Sequence, residues 1–414
     1  MKFGKQIIPL PLFRALQPAY HFLLAHTAAA WYGFPSRKMT VIGVTGTNGK
    51  STVVELLYAV FRGAGKNAAF VSSIRFKIND SEEKNMLKMT MPGRFALQKF
   101  LHNAKRAGCK YAVIEVTSEG IKQFRHCGIK FAAAVLTNVT PEHTESHGGF
   151  EKYRASKAKL FYRSPIHILN GEDAENINYF SKIPSARRVV YSKKNLPQNF
   201  NPKLIGDFNL ENIAAAHATA VAFGISDEII WHALEKFEDV PGRLEFIQRE
   251  PFAVIVDYAH TPDALRKVYE TLRNGACRLI CIFGSAGGGR DKWKRPEMGK
   301  IATEYCDEII LTNEDPYDEN PLTIIKDIES GFSQIQNSKP ETLNEPQTKN
   351  YKLRTILDRR EAIREALKSA RVGDTIIITG KGCEPWMMMA NGKKIPWDDR
   401  AIAREEIAKI ELGE

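Results

Sequence analysis

Cysteine is scarce in this chain. Six occur among 414 residues (Cys109, Cys127, Cys277, Cys281, Cys306 and Cys383), and no two form a CxxC pair. Disulfide frameworks and zinc knuckles need closer, recurring spacings, so the six read as reduced thiols of a cytoplasmic protein, mostly core fillers. Long apolar runs are also missing. The stretch from Ala19 to Phe34 is interrupted by His21, His26 and Thr27 and is too short to span a bilayer comfortably. No cleavable signal segment is evident, and no internal repeat of fixed period is present. Acidic residues are absent from Met1 through Val54, where Lys2, Lys5, Arg14, Arg37, Lys38 and Lys50 stand.

The whole chain carries a formal charge of +11. Such an excess favours anionic ligands, whether nucleotides, phosphorylated precursors, membranes or nucleic acid. Zinc-finger spacing, RNP-like runs and basic-aromatic stripes are lacking, so nucleic acid is excluded as a partner. With 43% hydrophobic residues the chain can fill two or three cores. Residues 1–38 form a short helical leader. From Val41 the pattern is strand, glycine-rich turn, helix, followed by apolar strands at Ala68–Ser72, Tyr111–Val116 and Ala132–Leu136 and a helix at Arg94–Ala107. Helices near 209–223 and 227–237 lead to a linker, Val240-Pro241-Gly242-Arg243. The alternation then restarts with strands at Ala253–Asp257, Arg278–Phe283, Glu308–Thr312 and Thr375–Thr379, the last preceded by a helix over Arg359–Ala370. Residues 334–350 are polar and read as a surface loop. This alternation predicts an α/β protein: a P-loop parallel-sheet ATPase domain over 39–241 and a Rossmann-like α/β domain over 242–414.

Thr45-Gly46-Thr47-Asn48-Gly49-Lys50-Ser51-Thr52 lies at the strand-to-helix junction. Glycines let backbone N–H groups approach phosphate oxygens, the helix N-terminus adds partial positive charge, Lys50 reaches the outer phosphates and Ser51 suits Mg²⁺. The spacing departs from the strict GxxxxGK[ST] pattern, because Val44 stands five positions before Gly49.

That loop, read as GVTGTNGKST, resembles the Mur ligases. So do Glu115-Val116-Thr117-Ser118, Thr137-Asn138-Val139-Thr140-Pro141-Glu142-His143 with Ser146-His147-Gly148, Tyr153 to Lys157, and Gly206 to Asn212. Asp257-Tyr258-Ala259-His260-Thr261-Pro262-Asp263 and Gly380-Lys381-Gly382-Cys383-Glu384 are similar to segments of one branch, the UDP-N-acetylmuramyl-tripeptide synthetases. The resemblance implies an ATP- and Mg²⁺-dependent acid–amino-acid ligase that forms an amide bond on a muramyl-peptide cell-wall precursor through an acyl-phosphate. It implies ATP binding by Gly46, Thr47, Asn48, Gly49, Lys50, Ser51, Thr52, Asn212, Arg243, Asp257 and His260. Two Mg²⁺ ions would be held by Ser51, Glu115, His143 and Lys157, with Lys157 carbamylated by CO₂, and Lys50, Glu115, His143 and Lys157 would carry the catalysis. Thr90, Thr117, Ser118, Gln123 and Arg125 would hold the muramyl peptide, and Asp315, Tyr317, Lys381 and Glu384 the incoming amino acid.

Tripeptide synthetases usually open with a separate domain of about a hundred residues that grips uridine diphosphate, an ordinary small-domain size. The leader of residues 1–38 stands in that place here, which leaves open whether the acceptor carries UDP. Branch members that add meso-diaminopimelate have an Asp-Asn-Pro-Arg segment whose arginine pairs with the far carboxylate; here it is Glu314-Asp315-Pro316-Tyr317, so lysine or ornithine is expected instead. Folylpolyglutamate synthesis is the alternative within the ligases, and a catalytically silent binding subunit the alternative outside them. The expected assembly is a monomer with small-molecule substrates. For the leader, two readings stand: packing on the ATP domain, or a weak contact of residues 1–36 with an anionic membrane. The apolar residues that nearly surround it favour packing.

Overall fold

The computed structural model describes residues 10–87, 89–142, 144–336 and 351–412. His143 and most of the polar stretch 334–350 therefore lie outside the described residues, as do the first nine positions of the leader. The chain forms two compact units. One contains the residues up to Pro141 with Phe150–Pro202 and Asn209–Phe237; the other contains Glu142–Gly149, Lys203–Phe208 and the residues from Glu238 onward.

The first unit is built on eight strands: β1 (Thr40–Thr45), β2 (Ala68–Val71), β3 (Arg75–Ile78), β4 (Ser81–Lys84), β5 (Tyr111–Glu115), β6 (Ala133–Leu136), β7 (Ile166–Asn170) and β8 (Arg187–Tyr191). Their order is β4-β3-β2-β5-β1-β6-β7-β8, with β3 antiparallel to both β2 and β4 and the other pairings parallel. Central strands of such a sheet are covered on both faces, which is why β1, β2, β5 and β6 are dominated by buried apolar side chains. The helix Lys50–Gly63 covers the sheet through Val53, Leu56, Leu57, Val60 and Phe61. The charged hairpin β3–β4 and the strands β7 and β8 were not expected from the sequence. Arg75 and Lys77 both pair with Glu82 across that hairpin, as charges and not as a hydrophobic alternation. Charged edge strands blunt unwanted strand pairing.

The leader helix, Leu10–Trp31, packs on the helix Arg94–Arg106 of the same unit. Ala25, Ala28 and Ala29 supply the buried side, the Phe22 ring meets Phe124 edge-on at 6.4 Å, and His102 Nδ1 lies 3.2 Å from the Tyr32 carbonyl. Among the described residues, no helix is long and apolar enough to cross a membrane.

The second unit carries β9 (Glu245–Gln248), β10 (Ala253–Val256), β11 (Leu279–Phe283), β12 (Glu308–Leu311), β13 (Lys352–Thr355) and β14 (Thr375–Ile378), ordered β13-β12-β11-β14-β10-β9. All pairings are parallel except β10 with β9. A short antiparallel pair follows, β15 (Trp386–Met388) and β16 (Lys394–Pro396), and a closing helix, Asp399–Leu412, that sequence reading had not placed. That helix is pinned by Asp399, which receives Arg359 through Nε at 2.9 Å and Nη2 at 2.7 Å in full burial.

One expectation is overturned here. Cys281 and Cys306 form a disulfide, with Cα atoms 6.1 Å apart. Cys281 sits in mid-β11 and Cys306 closes the helix Lys294–Tyr305 that returns along it, so a whole helix separates the partners in sequence. Both side chains are fully buried and look like core fillers until the helix is folded back.

Candidate active site

In a parallel α/β sheet, ligands gather at the carboxyl ends of the strands. Here β1 ends at Thr45 between β5, which ends at Glu115, and β6, which ends at Leu136. The register (Val44 beside Glu115, Thr45 beside Leu136) sets one carboxylate and the segment Thr137-Asn138 on either side of the glycine loop. Asn138 braces the loop: its side chain accepts from Asn48 N at 2.9 Å, and its carbonyl accepts from Thr47 N at 2.8 Å. Thr137 donates to the Asn48 carbonyl at 2.6 Å. Gly46 and Gly49 have φ of 154° and 82°, and a Cβ on them would collide with Thr137 Oγ1 and Asn212 Oδ1. Only glycine lets the backbone run this close, and the second contact sets Asn212 against the loop.

The helix begins at Lys50, immediately after that turn. Ser51 Oγ donates to Glu115 Oε2 at 2.8 Å and lies 2.8 Å from Ser73 Oγ, while Ser73 N donates to the same carboxylate oxygen at 2.9 Å. Lys50 Nζ donates to the Thr47 carbonyl at 2.6 Å and stands 4.0 Å from Glu115 Oε1. Thr47 also bonds the Thr140 carbonyl and Tyr153 OH, each at 3.1 Å, and Thr52 is buried in the first helical turn. Lys157, wholly buried, donates to the Gly46 carbonyl at 2.7 Å and lies 4.3 Å from the centre of the Tyr153 ring. Of the expected metal residues, the fold thus joins Ser51 to Glu115, sends Lys157 to the opposite end of the loop, and leaves His143 outside the described residues. No group of three or more His, Cys, Asp or Glu side chains suited to a metal occurs among the described residues. Mg²⁺ needs none, because it keeps waters and phosphate oxygens and takes only one or two protein oxygens. The hydroxyl-carboxylate pair beside the glycine cradle fits that habit.

A second cluster in this unit gathers the residues expected to hold the acceptor. Thr117 caps the helix Ser118–Lys122, accepting from Gly120 N at 3.0 Å, and buried Ser118 offers its carbonyl to Ser156 Oγ at 3.3 Å. Arg125 Nη2 donates to Gln123 Oε1 at 2.7 Å, and Nη1 donates to the Met91 carbonyl; Arg94 donates to the Gln123 carbonyl. Thr90 precedes Met91 and is partly exposed.

In the second unit the strand ends are equally occupied. Asp257, just past β10, accepts from Leu244 N at 2.7 Å and from Ala259 N at 2.6 Å. Burial raises its pKa, with Arg243 opposing. Arg243 stacks 4.3 Å over the Tyr258 ring. His260 lies 2.8 Å from the Tyr258 carbonyl and 3.1 Å from Glu142 Oε1, and Lys294 donates to its carbonyl at 2.9 Å. Burial depresses the pKa of Lys294 despite Glu314 and Glu142. Past β14, buried Lys381 donates to Asp315 Oδ1 at 2.9 Å, Glu384 Oε2 at 2.5 Å and the Trp386 carbonyl at 2.8 Å. Burial would weaken that ammonium, but Glu384 and Asp315 prevail and hold it charged. Tyr258 OH donates to Glu384 Oε1 at 3.1 Å. Tyr317 adopts φ 52° and ties its N–H to the Met388 carbonyl at 3.2 Å.

Several residues of these clusters escaped sequence reading. Asn138, Glu142, Tyr258 and Glu314 sat inside recognised segments without being singled out. Ser73, Arg94 and Lys294 had no motif to mark them.

Residues 44–203 match the model of the Mur ligase middle domain and residues 242–382 that of the Mur ligase glutamate ligase domain. The chain is 36% identical to the UDP-N-acetylmuramoyl-L-alanyl-D-glutamate–2,6-diaminopimelate ligase of Syntrophomonas wolfei, over 92% of this chain and 81% of that protein. The chain belongs to the Mur ligase family. Another relative, the UDP-N-acetylmuramyl-tripeptide synthetase of Roseiflexus sp., is 34% identical over 98% of this chain and 85% of its own length. Among solved structures, a diaminopimelate ligase of the same kind aligns with TM-score 0.59 at 27% identity, covering 96% of this chain and 83% of that one. The folylpolyglutamate synthase of E. coli bound to ADP reaches TM-score 0.68 at 16% identity, covering 95% of each chain, a likeness of fold alone. This Mur ligase is accordingly an ATP-dependent ligase that forms C–N bonds, and ATP with Mg²⁺ is the family's general requirement.

Proposed function

We propose that this Mur ligase joins an amino acid to the free carboxylate of a muramyl-peptide precursor. The carboxylate oxygen attacks the γ-phosphorus of ATP and ADP leaves; the amine then attacks the acyl carbon, expelling phosphate and losing a proton. The observation that carries this reading is the Ser51–Glu115–Ser73 arrangement at the mouth of the glycine cradle. Mg²⁺ bound there would neutralise charge on the transferring phosphoryl group. The N–H groups of Gly49 and Lys50 and the Lys50 ammonium would hold the phosphates, with Thr52 behind them, while the N–H groups of Thr47 and Asn48 are taken by Asn138. Asn212, Arg243, Asp257 and His260 are assigned to the nucleotide. Thr90, Thr117, Ser118, Gln123 and Arg125 are assigned to the acceptor, where Arg125 supplies a cation for its carboxylates. Asp315, Tyr317, Lys381 and Glu384 are assigned to the amino acid, and the enzyme acts in the cytoplasm as a monomer.

Phosphate release from ATP tests the assignment. Release should require Mg²⁺, a muramyl-dipeptide acceptor and an amino acid together, whether or not the acceptor carries UDP. Equal turnover with folate and glutamate would replace this reading by folate polyglutamylation, and ATP binding without turnover on any acceptor would leave a binding subunit.

Lys157 is assigned a carbamate, formed when its amine adds to CO₂ and releases a proton. The remaining N–H could keep the bond to the Gly46 carbonyl, and the carbamate's two oxygens, sharing one negative charge, would be offered to a second Mg²⁺ together with His143. Protein equilibrated with ¹³C-bicarbonate should show a carbamate carbon signal that disappears in Lys157→Arg. Activity should fall severalfold in CO₂-depleted buffer and recover on adding bicarbonate. Full activity without CO₂, and no signal, would remove the carbamate.

A further inference from the structure

The leader helix is mounted the wrong way round for a helix that only packs. On an ordinary docked helix the large apolar side chains face the body and the small or polar ones face water. Here the buried side is Ala25, Ala28 and Ala29, whereas Leu16 is 52% exposed, Tyr20 49%, Leu23 64% and Trp31 78%. At about 100° per residue, Leu16, Tyr20, Leu23 and Trp31 fall within one arc of roughly 80°, joined by Thr27, and form a stripe, while Phe22, 41% exposed, lies outside it. The expectation that apolar residues nearly surround the helix is refined by this division: small alanines face inward, and four of the five large exposed groups share one outer stripe.

The surroundings of the stripe are basic. Arg37 and Lys38 are exposed just beyond the helix, and no acidic residue occurs from Met1 through Val54. Arg94 and Arg125 approach His21 on the packed side of the helix, where they add to the larger effect of burial in lowering its pKa. Further exposed apolar groups adjoin these cations: Phe95 follows Arg94, and Met89 Sδ lies 3.4 Å from Arg125 Nη2. An apolar stripe with exposed cations beyond its end is what an anionic bilayer surface accepts, the side chains entering the acyl boundary and the cations meeting headgroups.

We propose that the outer face of Leu10–Trp31 docks this enzyme on an anionic membrane surface. Phe22 rests on Phe124, between Gln123 and Arg125, so the candidate acceptor cluster lies against the opposite, packed side of the docked helix. The proposal stands apart from the substrate assignment, since membrane binding and turnover are read separately.

Flotation of the full chain with vesicles of phosphatidylglycerol and phosphatidylethanolamine, against phosphatidylcholine alone, provides the test. The protein should partition at least tenfold more onto the anionic vesicles, and raised salt should weaken it. The triple variant Leu16→Gln/Leu23→Gln/Trp31→Gln should lose at least tenfold in partitioning with unchanged melting and unchanged ATP-dependent turnover. The variant Arg37→Glu/Lys38→Glu, which keeps the stripe, should lose affinity for anionic vesicles only. Wild-type protein that stays in the soluble fraction, or a triple variant that floats as well as wild type, overturns the proposal. So does a concentration-dependent dimer that the triple variant abolishes while vesicles bind neither protein, because the stripe would then belong to a second copy of the chain.

Discussion

Glu115→Gln should leave the protein folded and lower ATP-dependent phosphate release by about three orders of magnitude. A metal-assisted phosphoryl transfer draws several kcal/mol from charge stabilisation, and each ~1.4 kcal/mol is a factor of ten in rate. Glutamine keeps the length and the packing but removes the charge. It also puts an amide NH₂ where one carboxylate oxygen was, facing either Ser51 or Lys50, both of which now aim donors at Glu115. The series should be graded. Ser51→Ala removes one oxygen and leaves the carboxylate, and Ser73→Ala removes a hydroxyl 2.8 Å from Ser51 while its backbone N–H still holds Glu115. Losses should fall in the order Glu115→Gln, Ser51→Ala, Ser73→Ala, with melting temperatures close to wild type. A loss below tenfold for Glu115→Gln would take the residue out of metal binding.

The phosphate-loop side of this site was legible because it is local. Strand, glycine turn, lysine and helix follow one another within about a dozen residues, and the positive-φ glycines are chemically distinctive. The placing of Glu115 beside Ser51 needed the sheet order, which linear reading supplies only through a matched motif. Ser73 had neither. It lies between β2 and β3, and its role comes from the strand crossover that brings residue 73 to residue 115.

The failures share one cause: they depend on tertiary pairing. The hairpin β3–β4 is held by charge pairs, so a search for apolar alternation passes over it. Cys281 and Cys306 are 25 residues apart, and only the helix returning along β11 makes them neighbours. The leader shows the same limit from the other side. Its composition said that it was apolar and basic, but which apolar groups face inward depended on the alanines fitting against Arg94–Arg106.

Competition between lysine and meso-diaminopimelate should favour lysine by at least tenfold. This runs against the activity named for the Syntrophomonas relative, and it rests on the carboxylates around Lys381. Asp315 and Glu384 share that one ammonium, Asp318 and Glu319 follow in sequence, and Glu314 keeps a buried carboxylate oxygen with no hydrogen-bond partner among the described residues. A distal carboxylate brought here would meet like charge, whereas an ammonium would find acceptors. Two arginines could have reversed the argument. Arg295 is committed: it is fully buried and bound to Asp327 at 2.8 Å and Glu319 at 3.0 Å. Arg290 faces Tyr258, Tyr317, Glu142 and Glu384, and no ion pair to it is present among the described residues, so it is the cation to test. Tyr317→Arg should raise kcat/KM for diaminopimelate by roughly tenfold to a hundredfold, the range of one charge-assisted pair of about 1.5–3 kcal/mol. Arg290→Ala should cost both amino acids alike if Arg290 holds the α-carboxylate that they share. A wild-type preference for diaminopimelate that Arg290→Ala selectively abolishes would sink the lysine prediction and assign the distal carboxylate to Arg290.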